Sequence, residues 1–306
     1  MAQRGRWRRS LLAALLALSA GVAAAAHGAP TPTEAPGFRF QIITGDDSSV
    51  TRHIADDLTK RLMPIFGGFR TELAQKRRTV LVTIGPVALR NVVARKCDCV
   101  VIAAFTSSQV WRAVTADVPP ARLQSMTAIY AEPAPVDQLR LISLLYKRPV
   151  RVAAIVSHET GFLKPLLNGP LTVEIEDYSA GDDINFALKR VGQAQILLAM
   201  PDRTVYSAEN FRNILLSTYR HNQSVIGFSA DMVRAGALAT TYSNIEHINA
   251  QVADLATEFV ATGELGAPQF PRYFRTIINE GVARSLQVTM SDEARKFGRE
   301  PQTRRP

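Results

Sequence analysis

Short apolar, β-favouring runs alternate along this chain with stretches whose apolar residues recur at helical spacing. Residues 38–43 form the first run, closed by Gly45-Asp46-Asp47-Ser48-Ser49, a turn and cap signal that opens a helix over 50–62. Residues 79–84 end at Gly85-Pro86, and a helix follows over 87–95 with proline in its first turn. A strand over 99–105 leads through Thr106-Ser107-Ser108 into the helix that carries Trp111. The second half predicts helices over 136–145, 161–167, 182–191 and 208–219, and strands over 150–156, 171–178, 195–199 and 224–228. These strands end at Ser157-His158, Tyr178, Pro201-Asp202 and Ser229.

Strands that are apolar on both faces and alternate with amphipathic helices predict parallel sheets covered by helices. Two such sheets fit the spacing. After Ser229 come a short helix to 235, a run over 236–242, a long helix over 245–261, a Gly-Pro loop over 263–268, a strand over 272–278 and a helix over 280–286. These late pieces read as returns to earlier sheets. The expected fold is therefore α/β, two Rossmann-like lobes with parallel sheets joined by a multi-strand hinge. Lobe 1 is expected over 38–128 plus 241–267, and lobe 2 over 131–238 plus 272–290.

The first residues carry Arg4, Arg6, Arg8 and Arg9, an apolar run over 11–26 and a small-residue cleavage zone near Ala24-Ala25-Ala26 and Gly28. That order is the one of a cleaved export signal over 1–28. The run, about 16 residues, falls short of the roughly 20 that span a bilayer. A Pro-rich spacer over 29–37 follows, and no cysteine near the cleavage zone offers a site for lipid, so a free periplasmic product is expected. The net charge of +9 changes meaning once located. Most of it sits in the leader and in the stretch from Arg295 to Pro306, which lies in a basic tail over 291–306 expected as a frayed end. The nearly neutral body argues against a nucleic-acid partner.

Cys97 and Cys99 stand one residue apart. They are either unpaired thiols or a bridge formed in an oxidising compartment. With no histidine near them, a metal site is not expected, and phosphate-cradling motifs are absent, so no cofactor is expected either. Glu174, Glu176, Asp177 and the Asp182-Asp183 pair read as solvated faces and a helix cap.

The segments Ile196-Leu-Leu-Ala-Met-Pro-Asp202, Ile214-Leu-Leu-Ser-Thr-Tyr-Arg-His221, Val225-Ile-Gly-Phe-Ser229 and Val233-Arg-Ala-Gly-Ala-Leu238 together resemble the substrate-binding family of ABC transporters with the type I periplasmic-binding-protein fold. Pro271-Arg-Tyr-Phe274 with Ile278-Asn-Glu-Gly-Val-Ala-Arg-Ser-Leu286 looks like that family's closing strand and helix, and Val82-Thr-Ile-Gly-Pro-Val-Ala-Leu89 and Ala128-Ile-Tyr130 add earlier matches. The resemblance implies a ligand held between two lobes that close on it and delivered to an inner-membrane permease, without naming the ligand. The candidate residues at strand ends lead to the expectation of a small anionic or zwitterionic, amino-acid-like one, and a monomer is expected. A sensory protein presenting its closed form to a receptor is the alternative on the same fold.

Ligands of open parallel α/β sheets bind outside the carboxyl ends of strands, near helix N-termini. The candidates there are Gly45, Ser48, Gly85, Pro86, Thr106 and Ser107 in lobe 1, Ser157, Asp202 and Ser229 in lobe 2, and Tyr130, at a strand end between them, as an apolar wall. Thr106 or Ser107 would donate to a carboxylate and Asp202 would accept from an ammonium, or these residues simply cap helices. No catalytic residue is assigned. Gly227-Phe-Ser-Ala-Asp231 resembles a nucleophile elbow but lacks its closing glycine, leaving a serine hydrolase built on Ser229 as a remote alternative.

Overall fold

The computed structural model describes residues 37–67, 78–95, 97–169 and 171–302. The expected leader and nearly all of the spacer lie outside the described residues. A four-stranded parallel sheet runs in the order β1 (Phe38–Thr44), β2 (Arg78–Ile84), β3 (Cys99–Thr106), β4 (Met126–Tyr130). A six-stranded sheet is built from β5 (Val152–Ser157), β6 (Val173–Tyr178), β7 (Ile196–Leu198), β8 (Ser224–Ile226), β9 (Ala239–Tyr242) and β10 (Arg275–Ile278), in the order β10-β9-β8-β7-β5-β6. Its strands are parallel except β10, which is antiparallel to β9.

Each sheet is covered on both faces because its inner strands, such as β3 and β5, are apolar at both parities. In β3, Val100, Ile102 and Ala104 face α1 (Ser49–Gly67) and α9 (Ile245–Thr262), while Val101 and Ala103 face α2 (Gly85–Val93) and α3 (Ser108–Thr115). In β5, Val152, Ala154 and Val156 face α5 (Pro135–Tyr146), whereas Ala153 and Ile155 face α6 (Ile184–Arg190), α7 (Ala208–Arg220) and α8 (Ala230–Ala235). Burying a Val or Ile side chain contributes about 1.5–3 kcal/mol. A strand covered on both faces places every residue in that account.

The chain passes between the lobes three times, from β4 to α5, from β9 to α9, and from α9 to β10. Two buried glutamines hold these passages. Gln138 Nε2 donates to Gly227 O at 2.6 Å and its Oε1 accepts from Thr241 N at 3.0 Å. Gln251 donates to Gln269 Oε1 and Phe270 O and accepts from Arg272 N. The third passage also pairs briefly with β4, where Ile129 bridges Gln269.

Two expectations need correction. The lobe 1 segment expected from 241 begins later, because β9 runs to Tyr242 within the second sheet and the helix that returns, α9, starts at Ile245. The tail is not a frayed end as far as 302. Ser291 caps α11 (Asp292–Arg295), Phe297 packs on Phe274 with ring centroids 5.2 Å apart, and Arg299 pairs with Phe274 in a β-bridge. Glu300 then takes Arg275 Nε at 2.7 Å and the buried His247 Nε2 at 3.0 Å. These tertiary partners, not local periodicity, order the segment.

Candidate functional site

The segments that follow the carboxyl ends of β3, β5 and β7 meet one another. From β3, the chain kinks at Phe105, whose φ of +57° is unusual for a bulky residue, and the register of β3 against β4 shifts between Ala104 and Thr106. Ser107 then caps α3 by accepting from Val110 N at 3.2 Å. From β5, Ser157 caps the 3₁₀ segment His158–Leu167 by accepting from Glu159 N.

Gln109 of α3 donates to Glu159 Oε2, which also accepts from Thr204 Oγ1 at 3.5 Å. One turn further along α3, the Arg112 guanidinium lies 4.4 Å from the centroid of the Phe162 ring. A charge-assisted hydrogen bond and a cation–π contact thus join lobe 1 to lobe 2. Among the predicted residues, Thr106, Ser107, Ser157 and Asp202 stand on the segments that this junction brings together.

Glu132, on the first passage, supplies the most unusual electrostatics. It is 4 % exposed, its Oε1 accepts from Ser108 N at 2.8 Å, and its Oε2 has no partner. The hydroxyl of the fully buried Ser108 is unpartnered as well. Burial pushes the Glu132 carboxyl above its ordinary range, opposed by the Ser108 groups beside it. Tyr130 is pushed up to about 12 by burial and by the Glu132 charge. Its ring packs on Phe270 at 5.1 Å and, with Trp111 and Arg112, borders a cavity of about 510 Å³.

The other predicted residues have mainly local partners. Asp202 is 1 % exposed and turned inward: Oδ2 accepts from Ser157 N at 2.7 Å and from Thr160 Oγ1, and Oδ1 accepts from Thr204 N and Val205 N. It ties the ends of β5 and β7 together and has no lone pair facing the cleft. Thr106 is buried, with its hydroxyl 3.4 Å from Ala104 O. Ser48 accepts from Thr51 N, Pro86 opens α2 and Ser229 caps α8 by accepting from Met232 N. No histidine bonds Ser229 among the described residues. Gly85 has φ +80°, and a Cβ on Gly45 would lie 2.7 Å from Val87 Cβ, so its bare backbone lets the β1 turn pack on α2. Thr106 O accepts from Ala131 N at 3.1 Å, where the chain enters lobe 2, whereas no hydrogen bond joins Gly45, Ser48, Gly85 or Pro86 to lobe 2 among the described residues.

Glu176 pairs with Arg190 and Asp177 with Lys164, each at 2.5 Å, on the edge strand β6. Asp183 caps α6 as its sequence context implies. No group of three metal-ligating side chains occurs among the described residues, and no helix described is long and apolar enough to cross a membrane.

No family model matches this chain, and no curated protein does. Solved structures do. A substrate-binding protein with adhesive properties from Clostridium difficile, in its ligand-free open form, superposes with a TM-score of 0.59 at 12% identity, covering 84% of this chain and 97% of that one. The ABC domain in complex with L-Trp from Streptococcus pneumonia gives 0.53 at 13% identity, covering 86% and 99%. A conserved domain protein from Vibrio cholerae gives 0.51 at 14% identity, again covering 86% and 99%. The chain therefore has the two-lobed α/β fold of substrate-binding proteins.

Proposed function

We propose that this protein is an exported solute-binding component of an ABC-type uptake system, and that it binds a small zwitterionic, amino-acid-like ligand between its lobes. The observation that carries this reading is the junction itself, where loops following β3, β5 and β7 touch across the lobes beside the buried Glu132 carboxyl, one oxygen of which, Oε2, has no partner. A buried carboxylate oxygen without a partner is costly, and a ligand ammonium on Glu132 Oε2 would remove that cost. The Ser108 hydroxyl and the N-terminus of α3 would receive the ligand carboxylate. Ligand closes the lobes in proportion to its preference for the closed state. Glu132 thus takes the part that the sequence offered to Asp202. The neighbour solved with L-Trp supports an amino acid as the ligand class.

The test is a thermal-shift screen of the protein against the proteinogenic L-amino acids, simple sugars and small carboxylates. A ligand at 100 times its Kd adds about 2.7 kcal/mol to stability. An L-amino acid should stabilise the parent, and Glu132→Gln should lose at least ten-fold in affinity for it. Stabilisation by a sugar alone, or a hit unaffected by Glu132→Gln, refutes the assignment.

A further inference from the structure

Cys97 and Cys99 stand at the amino-terminal entry of β3, the end of the strand remote from the lobe junction. Their sulfurs are bonded to each other. Cys99 is 3% exposed, whereas Cys97 is only partly buried. Arg122, from α4 (Pro120–Leu123), reaches over both. Its Nη2 lies 3.2 Å from Cys99 Sγ and 3.6 Å from Cys97 Sγ, and its Nη1 donates to Cys99 O. From β2, Arg78 comes within 3.7 Å of Asp98 and bonds Ser125 Oγ at 3.3 Å. Two guanidinium groups therefore face this segment, and Asp98 between the cysteines is the anion that offsets them.

A disulfide sulfur is a weak acceptor, so a guanidinium held against it gains little, whereas the same cation beside a thiolate is strongly favourable. A bridge over one intervening residue also closes a very short loop, which constrains the unfolded chain far less than a long one. Stapling the fold is thus the weakest use of this pair. We propose that Cys97 and Cys99 form a thiol–disulfide exchange site, in which Arg122 is the positioning residue that receives the Cys99 thiolate.

In the exchange, the thiolate of an external monothiol attacks Cys97 Sγ, the more accessible sulfur. A bond forms between those two sulfurs, the Cys97–Cys99 bond breaks, and its electron pair leaves on Cys99 Sγ beside Arg122. A second monothiol thiolate attacks the reagent's sulfur in the mixed disulfide and releases Cys97 as thiolate, which takes a proton from water. Two external thiols are oxidised to one disulfide, and the protein pair is reduced by two electrons. The reverse sequence oxidises thiols of a partner.

The experiment incubates the folded full chain with millimolar glutathione, quenches with acid, and maps alkylated and glutathionylated cysteines by mass spectrometry. Reduction without denaturant is expected, with Cys97 carrying the mixed disulfide when Cys99→Ser is treated with oxidised glutathione. In the reduced parent one thiol should alkylate with a midpoint at least one pH unit below the roughly 8.5 of a free cysteine. Arg122→Gln should slow reduction at least ten-fold and raise that midpoint, and Arg122→Lys should restore most of both. Reduction only after unfolding in urea overturns the proposal. So does an ordinary alkylation profile in the parent, which decides the matter even where Arg122→Gln does not fold.

Discussion

Replacing Asp202 by alanine should destabilise the protein without removing a ligand contact, and the size of the loss follows from its partners. The carboxylate is 1% exposed and accepts from Ser157 N, Thr160 Oγ1, Thr204 N and Val205 N. Hydrogen bonds to a charged group contribute about 1.5–3 kcal/mol each, but the four share one side chain and do not add. The truncation leaves three backbone N–H groups and a hydroxyl without their acceptor, and water entering the vacated space recovers part of that. Breaking a comparable buried charged network costs about 3–5 kcal/mol. We expect about 4 kcal/mol, read as a fall in urea midpoint at unchanged slope and as a Tm roughly 8–16 °C lower for a chain of this size. Asp202→Asn should fall between parent and alanine, because its amide nitrogen meets donors on one side. A loss below about 1 kcal/mol in Asp202→Ala would refute the reading of Asp202 as a structural tie and return it to the ligand.

Three further outcomes are expected. Phe162→Ala removes the cation–π contact with Arg112, worth about 0.5–1 kcal/mol, so it should open the unliganded lobes and raise the radius of gyration measured by small-angle scattering. An unchanged scattering curve counts against that contact as a latch. Glu300 is held down from 4.5 to about 2 by Arg275 and His247. A depressed carboxyl contributes stability above its unfolded value and loses it as pH falls through its folded one. The parent's urea midpoint should therefore drop between about pH 4.5 and 2 more steeply than that of Glu300→Gln, by an amount that solvent screening of this half-exposed side chain keeps modest. Gly45→Ala should cost about 1–3 kcal/mol by overpacking against Val87, measured by thermal melting.

What the chain discloses on its own follows from how locally each feature is encoded. The apolar parity of β3 and β5, the Gly85-Pro86 stop and the serine caps at 107, 157 and 229 are short-range signals, and the elements form where those signals put them. The order of the tail is not legible in the sequence because α11 is four residues long and its partners, Phe274, Arg275 and His247, are distant along the chain. Asp202 reads equally as cap or anchor. Only the approach of the β5 end, 45 residues earlier, decides how its oxygens are used. Glu132 carries no signal in the sequence because an acid in Tyr-Ala-Glu-Pro, between a strand and a helix, resembles any solvated loop acid. Its burial is a property of the lobe crossing. Gln109, Arg112, Glu159 and Phe162 were invisible for the same reason, since each matters only through a partner on the other lobe.

The central claim is that both lobes contribute to one ligand site at the junction of the β3, β5 and β7 loops. Amide hydrogen exchange, with and without the L-amino acid that gives the largest thermal shift, tests it most directly. The account predicts added protection at residues 106–109, 131–133, 157–162 and 202–204 together. Protection confined to one lobe, or gathered away from these segments, would contradict it.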